Sequence, residues 1–245
     1  KTQAKLSRAL EVHATTSTGP HEPARLLLTE VRPQAESLRD ALRASPEVTS
    51  ADCAGSIRRC QSTLRDIDLV VSSKRPGPVM DSFSTLAQVA HIDQRGDTKL
   101  VAITHTGLNV DLRVVVPESY GNLLQHLTGS AAHNVALRGY AQRRGLKISE
   151  YGIEGVASGK TVTCATEVEV YGTLGLDYIP PELREDQGEI QAAASHTLPR
   201  LIERSQLRGD LHVHSNWTDG KATIEDMAEA AQRASLEYLC FCDHS

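Results

Sequence analysis

The run Asp66-Ile67-Asp68-Leu69-Val70-Val71-Ser72 leaves few conformations open. Its β-branched residues favour a strand, and side chains along a strand alternate between faces. Asp66 and Asp68 then project together, while Ile67, Leu69 and Val71 enter a core. The same alternation in Asn109-Val110-Asp111-Leu112-Arg113-Val114 buries Val110, Leu112 and Val114 and puts Asp111 on the polar face. Side by side, the two strands bring three carboxylates to one place. Hard oxygen donors of this kind suit Mg²⁺, and a pair of such ions can steady the entering and leaving oxygens of a phosphoryl displacement.

An Asp-x-Asp pair on a strand is by itself most often a solvated face. The preceding Gly55-Ser56-Ile57-Arg58-Arg59 changes its weight. A short glycine turn that enters a helix offers free backbone N–H groups to a phosphate. Arg59 adds a permanently charged, bidentate partner.

Composition sets outer limits. The 245 residues suffice for one or two domains, and 40% hydrophobic content supports a packed core. Aromatic residues are only 4%, too few for a platform that stacks single-stranded bases, and a net charge of −5 excludes a globally basic coat. Nucleic-acid contact would have to use local patches, such as Arg58, Arg59, Arg65, Lys74 and Arg75, or Arg138, Arg143, Arg144 and Lys147. Five cysteines without framework spacing, and no long apolar run, point to reduced thiols in a cytoplasmic protein without a membrane span. Alternation through Tyr238-Leu239-Cys240-Phe241-Cys242 predicts a buried strand, with both cysteines as small core hydrophobes. The chain starts within a helical pattern and stops just past an apolar strand, which reads as a fragment.

Residues 1–15 read as the tail of a helix and 16–23 as a loop. Helices are expected at 22–44, 78–90, 120–127, 132–144, 165–174 and 223–234. Strands are expected at 48–54 and 66–72, with an antiparallel hairpin around Gly107 and strand-like pieces near 147–153 and 160–164. Asn134 and Arg138, four apart, share a helix face. His212 and His214 alternate onto one face of a strand, and Asp219 and His244 follow.

The stretch AGSIRRCQSTLRDIDLVV (54–71) resembles the signature of the family X DNA polymerases within the nucleotidyltransferase superfamily. LLQHLTGSAAHNVALRGYAQRRGLKISEYGI (123–153), YIPPELRE (178–185) and DLHVHSNWTDG (210–220) continue the likeness in order. That order resembles the bacterial and archaeal branch, in which a PHP-type metallophosphoesterase domain follows the polymerase core.

The resemblance implies an α+β fold: a nucleotidyltransferase palm with a mixed sheet, a small thumb-like subdomain, and the first βαβ unit of a PHP β/α barrel. The implied divisions are a remnant of a DNA-binding region at 1–24, palm at 25–118, nucleotide-selecting thumb at 119–185, linker at 186–207, and a truncated PHP start at 208–245. It also implies a DNA-directed DNA polymerase acting in gap-filling repair on gapped or primer-template DNA with dNTPs, as a monomer. Asp66, Asp68 and Asp111 would be catalytic and bind Mg²⁺ or Mn²⁺. Gly55, Ser56, Arg59, Thr128, Gly129, Asn134 and Arg138 would hold the nucleotide. His212, His214, Asp219 and His244 match the first four ligands of a PHP site, which takes Zn²⁺ or Mn²⁺ in an intact relative with 3′–5′ exonuclease activity; no such activity is expected of this fragment. His126-Leu127 departs from the aromatic pair of the best-known eukaryotic members. Competing readings are a non-templated nucleotidyltransferase and a PHP-type phosphoesterase.

Overall fold

The computed structural model describes residues 25–245. The expected helix tail at 1–15, the loop after it and the DNA-binding remnant lie outside the described residues. The chain divides into two compact units, one ending at Leu198 and one spanning Pro199–Ser245. Among the described residues, no helix is long and apolar enough to cross a membrane.

The first unit opens with β1 (Leu26–Leu27) and α1 (Leu28–Arg43). Then come β2 (Ser50–Cys53), the four-residue α2 (Gly55–Arg58), β3 (Thr63–Leu64) and β4 (Asp66–Ser72). Next are α3 (Pro76–Ser84), β5 (Val89–Arg95), β6 (Lys99–Thr104) and β7 (Asn109–Val115). Five strands form one mixed sheet in the order β2-β4-β7-β6-β5. β4 and β7 are parallel, and every other neighbouring pair is antiparallel.

Period-2 alternation decides what each face of this sheet meets. Ile67, Leu69, Val71, Val110, Leu112, Leu100 and Ala102 are shut off from solvent and pack with Val31, Ala35, Leu38, Val79, Met80 and Phe83 of α1 and α3. The expected helix at 78–90 is thus two elements, and β5 occupies its last residues and beyond. Residues Leu86 and Val89 fit either period, and β5 is an edge strand with mostly exposed side chains, so no clean alternation marks it.

On the opposite face lies α4 (Tyr120–Thr128), which with Ala54 and Val70 forms a smaller core around Tyr120, Leu123 and Leu124. Gly121 lets α4 come close: a side chain there would collide with the Thr166 backbone, and its N–H bonds Cys164 O at 2.9 Å. α5 (Ala131–Gln142) follows, capped by the Ser130 hydroxyl. The strand-like piece near 147–153 is a hairpin of β8 (Leu146–Ser149) and β9 (Gly152–Gly155), and β10 (Thr161–Val162) completes a three-stranded antiparallel sheet. α6 (Glu167–Thr173) and α7 (Glu189–Ala194) close the unit. Ile190 and Ala193 of α7 are buried with Leu137, Tyr140, Ile153, Val170 and Tyr171. The stretch expected to be a linker at 186–207 therefore begins as part of a core.

The second unit holds β11 (Gly209–Val213), α8 (Ile224–Arg233) and β12 (Tyr238–Phe241), with β11 and β12 parallel. α8 begins with a capping box: Thr223 Oγ1 accepts from Asp226 N, and the Asp226 carboxylate accepts from Thr223 N. The expectation of buried cysteines fails here. Cys240 is exposed and Cys242 is half-buried, their sulfurs 3.8 Å apart. Alternation put both on one face of the strand, but no layer covers that face in this unit.

Candidate active site

β4 and β7 run parallel in a register that sets Asp68 opposite Asp111 and Asp66 opposite Asn109. All three carboxylates stand on the face away from the main core. Burial, reinforced by the Asp66 and Asp111 charges, pushes the Asp68 pKa up to about 7, against the pull of Arg59 and Arg113. Lys99 Nζ lies 3.2 Å from Asp111 Oδ1. That oxygen is sealed from water. A water-excluded carboxylate oxygen beside two further carboxylates suits a hard divalent cation.

The Gly-Ser turn lies directly against this group. Gly55 has φ +58°, and a side chain there would collide with the Asp68 carboxylate. Ala54 N bonds Asp68 O at 2.8 Å, which ties the turn to β4. Gly55 thus stands against Asp68, with Ser56 next in the same turn.

Arg59 has other company. Its Nε bonds Glu185 Oε1 at 2.6 Å, and its Nη1 bonds the Thr128 carbonyl at 2.5 Å. Thr128 and Gly129 sit at the end of α4, where Gly129 has φ +67° and precedes a cis peptide bond to Ser130. Arg59, Thr128 and Gly129 are therefore brought together, 69 residues apart in sequence for the Arg59–Thr128 pair. Asn134 uses its carboxamide on α4: Nδ2 donates to His126 O at 2.7 Å, and Oδ1 accepts from Gln125 at 2.9 Å. Arg138 is exposed and, with Gln142, Lys147 and Ile148, borders an open cavity of about 350 Å³.

Sequence reasoning missed the buried charges beneath these residues. Glu167 takes both nitrogens of Arg58, at 2.9 and 2.6 Å, and Arg184 Nη1 at 2.6 Å. Arg184 is fully buried. Burial alone would raise the Glu167 pKa, but the two guanidiniums bring it below the ordinary range. Nothing in a charged residue's spacing marks it as buried, and Arg184 stands among Glu182, Glu185 and Asp186 like an ordinary solvated charge.

In the second unit, His214 Nδ1 lies 3.1 Å from Asp219, and His244 Nε2 lies 3.5 Å from it. The ligand atoms of His214, Asp219 and His244 all fall within 4.8 Å of one another. His212 joins them, its Nε2 2.9 Å from His214 Nε2. Asp243 steadies the loop by accepting from Ser215 N at 2.7 Å, Ser215 Oγ at 2.6 Å and Thr218 Oγ1 at 2.9 Å. Among the described residues, His214, Asp219 and His244 are the one group of three such side chains gathered closely enough to share a metal ion. Asp66, Asp68 and Asp111 are not gathered so, and three like charges repel.

Comparison with known proteins gives these geometries a context. The family described as "DNA polymerase beta thumb" matches residues 123–185, and "PHP domain" matches residues 210–245. "DNA polymerase/3′-5′ exonuclease PolX" of Bacillus subtilis (strain 168) is 39% identical over 194 residues. The chain is similar to the family X polymerases that carry a PHP domain. It spans about a third of the length of that curated relative, since the match covers 78% of this chain and 34% of the relative. A Leishmania infantum polymerase beta, solved as a ternary P/T complex, shares the fold, with TM-score 0.57 and 21% identity over 66% of this chain and 77% of that one. The family X thumb match ends at Glu185, the residue that holds Arg59, so α7 lies beyond it.

Proposed function

We propose that this chain adds deoxynucleotides to a DNA primer, as a gap-filling polymerase acting on primer-template DNA and dNTPs. The parallel pairing that sets Asp68 against Asp111, with Asp66 on the same face and Gly55 in contact, carries this reading. In the reaction the primer 3′-oxygen forms a bond to the α-phosphorus, the bond to the β-phosphate oxygen breaks, and pyrophosphate leaves.

Asp66, Asp68 and Asp111 would hold divalent cations, Mg²⁺ or Mn²⁺. When bound, these lower the pKa of the attacking hydroxyl and offset charge on the triphosphate. Asp111 accepts the hydroxyl proton. Backbone N–H groups of Gly55 and Ser56, the Ser56 hydroxyl and Arg59 grip the β- and γ-phosphates. Thr128 and Gly129 lie along the sugar, Asn134 contacts the base, and Arg138 meets the template strand. Residues 25–118 serve as palm and 119–185 as thumb. Positioning and fixed charge supply most of the rate.

His212, His214, Asp219 and His244, in the PHP segment at 208–245, are read as a site for Zn²⁺ or Mn²⁺ with no 3′-end degradation expected of this chain. Extension of a primer across a one-nucleotide gap, with and without Mg²⁺, tests the polymerase reading. Extension that ignores the template would favour a non-templated nucleotidyltransferase instead. Metal-dependent shortening of the primer 3′ end would overturn the reading of the histidine cluster.

A further inference from the structure

The arginine read as a phosphate ligand is held by a carboxylate that the proposed chemistry does not use. Arg59 is the C-cap of α2, and only 13% of its side chain is exposed. Its Nε donates to Glu185 Oε1 at 2.6 Å, and the same oxygen accepts from Gln61 Nε2 at 2.8 Å. Its Nη1 donates to the Thr128 carbonyl. Gly129 lies against that nitrogen, since a side chain there would stand 3.3 Å from it.

Glu185 stands on a fixed backbone. The residue before it, Arg184, is fully buried and donates to Ile179 O at 2.9 Å and Glu167 Oε1 at 2.6 Å. The Arg184 carbonyl accepts from Ser130 N at 3.0 Å, which ties this stretch to the Thr128-Gly129-Ser130 turn. Gln61 N bonds Ser56 O at 3.0 Å, so the second donor to Glu185 is anchored in the Gly-Ser turn. One carboxylate oxygen thus joins the two segments on either side of Arg59. A guanidinium has five N–H donors. Glu185 and Thr128 take one each and leave three, enough for the bidentate grip that arginine makes on a phosphate.

We propose that Glu185 is a positioning residue, which sets the Arg59 fork for the β- and γ-phosphates of the incoming nucleotide without touching the nucleotide itself. The proposal rests on the reading of Arg59 as a phosphate ligand. A long side chain loses rotamer freedom when it grips a ligand. Glu185 and Thr128 impose that loss on Arg59 before any ligand arrives, because turning the guanidinium would break both of its bonds. Without the carboxylate, Arg59 keeps its charge and its reach but has to be ordered at each binding event. That penalty falls on ground state and transition state alike, so it appears in KM rather than in kcat.

The test uses the 245-residue chain and its Glu185→Ala, Glu185→Gln and Arg59→Ala variants, each checked for a native melting profile. In single-nucleotide gap filling with Mg²⁺, Glu185→Ala should raise KM for the dNTP roughly five- to tenfold with kcat within about twofold, the size expected for ordering one long side chain. Glu185→Gln keeps an acceptor for Arg59 Nε and should recover most of that loss. Pyrophosphate, as a competing inhibitor, should weaken by the same factor in Glu185→Ala. A deoxynucleoside monophosphate, which lacks the two phosphates that Arg59 grips, should compete as before. Arg59→Ala should raise KM further, and adding Glu185→Ala to it should change nothing more, because the two act on one contact. Equal weakening of the monophosphate would mark a merely structural role, and a lowered KM in Glu185→Ala would mean that the carboxylate competes with phosphate for Arg59. Either result, or additive losses in the double variant, would overturn the proposal. If the unaltered chain fails to extend the primer, or Arg59→Ala leaves KM unchanged, the phosphate reading of Arg59 fails and the proposal falls with it. A second readout needs no catalysis: the Arg59 Nε–H should give a slowly exchanging ¹⁵N–¹H resonance that is lost in Glu185→Ala. An unmoved resonance would sink the proposal whatever the kinetics.

Discussion

In the first unit, the strand that carries Asp66 and Asp68 has its other face buried under two helices, with Ile67, Leu69 and Val71 fully sealed. The strand that carries His212 and His214 has no such support, since Leu211 is 70% exposed and α8 has no buried residue. Both clusters use the same local device, alternate positions on a strand with a loop beside it. They differ in what lies underneath. Fixing charged side chains against one another costs side-chain entropy and, among like charges, repulsion. A packed core can hold such a group in place without its ion. An open strand pair can gather His and Asp, which attract, but has little to resist their motion.

The largest effect should come from Asp111→Ala, the carboxylate whose Oδ1 is sealed from water beside Lys99. Single-turnover primer extension should fall by at least about 10³-fold, while dNTP binding stays within a few fold. Near-normal turnover would break the assignment of the sheet face as the active site.

Next comes the buried charge network. Glu167→Ala leaves Arg184 buried without its carboxylate, and Arg58 without its bidentate partner. Unfolding by urea should show a loss of roughly 3–5 kcal/mol, as for an uncompensated buried charge. A loss below about 1 kcal/mol would place that network with ordinary surface pairs.

Asp68 sharpens the contrast through pH. Its pKa is raised to about 7 in the fold, against about 4 in an unfolded chain. Below pH 4 both states hold the proton and nothing is lost. As pH rises from 4 to 7, the unfolded chain releases the proton first, and the metal-free fold loses stability progressively. Asp68→Asn should therefore stabilise the metal-free chain at pH 8 by roughly 2–4 kcal/mol, and the gain should vanish towards pH 4. A pH-independent difference would show that Asp68 ionises normally. Mg²⁺ should narrow the gap at pH 8 by favouring the ionised parent.

The smallest effect belongs to the second unit. Trp217, the chain's one tryptophan, is 81% exposed beside the histidine cluster. Zn²⁺ should change its emission, and His214→Ala should abolish that response while leaving the main unfolding transition where it was. A large shift of that transition on His214→Ala would mean that the cluster supports more than its own loop.

Particular elements show how far the sequence reaches. β4 was legible to the residue, because the alternation Asp66-Ile67-Asp68-Leu69 runs straight into the β-branched pair Val70-Val71. β5 was not, because an edge strand with exposed side chains carries no period. Gly55 was read as a turn, and its contact with Asp68 adds the reason that only glycine fits. Arg59 was read as a phosphate ligand, and its hold on Glu185 and Thr128 could not be foreseen, since those partners arrive from 126 and 69 residues away. Glu185 itself escaped notice for the same reason: a polar residue in sequence reads as solvated until its partners are known.

The sequence by itself determined the alternating strands, the Gly-Ser turn, the helix caps and the residue types gathered at each site, because these depend on neighbours a few positions apart. Tertiary structure decided which carboxylate faces which, which arginines are buried, and which groups hold Arg59. Those outcomes turn on strand register and on chain ends meeting across a core, where the low dielectric makes an unpaired polar group costly and so leaves one pairing in force.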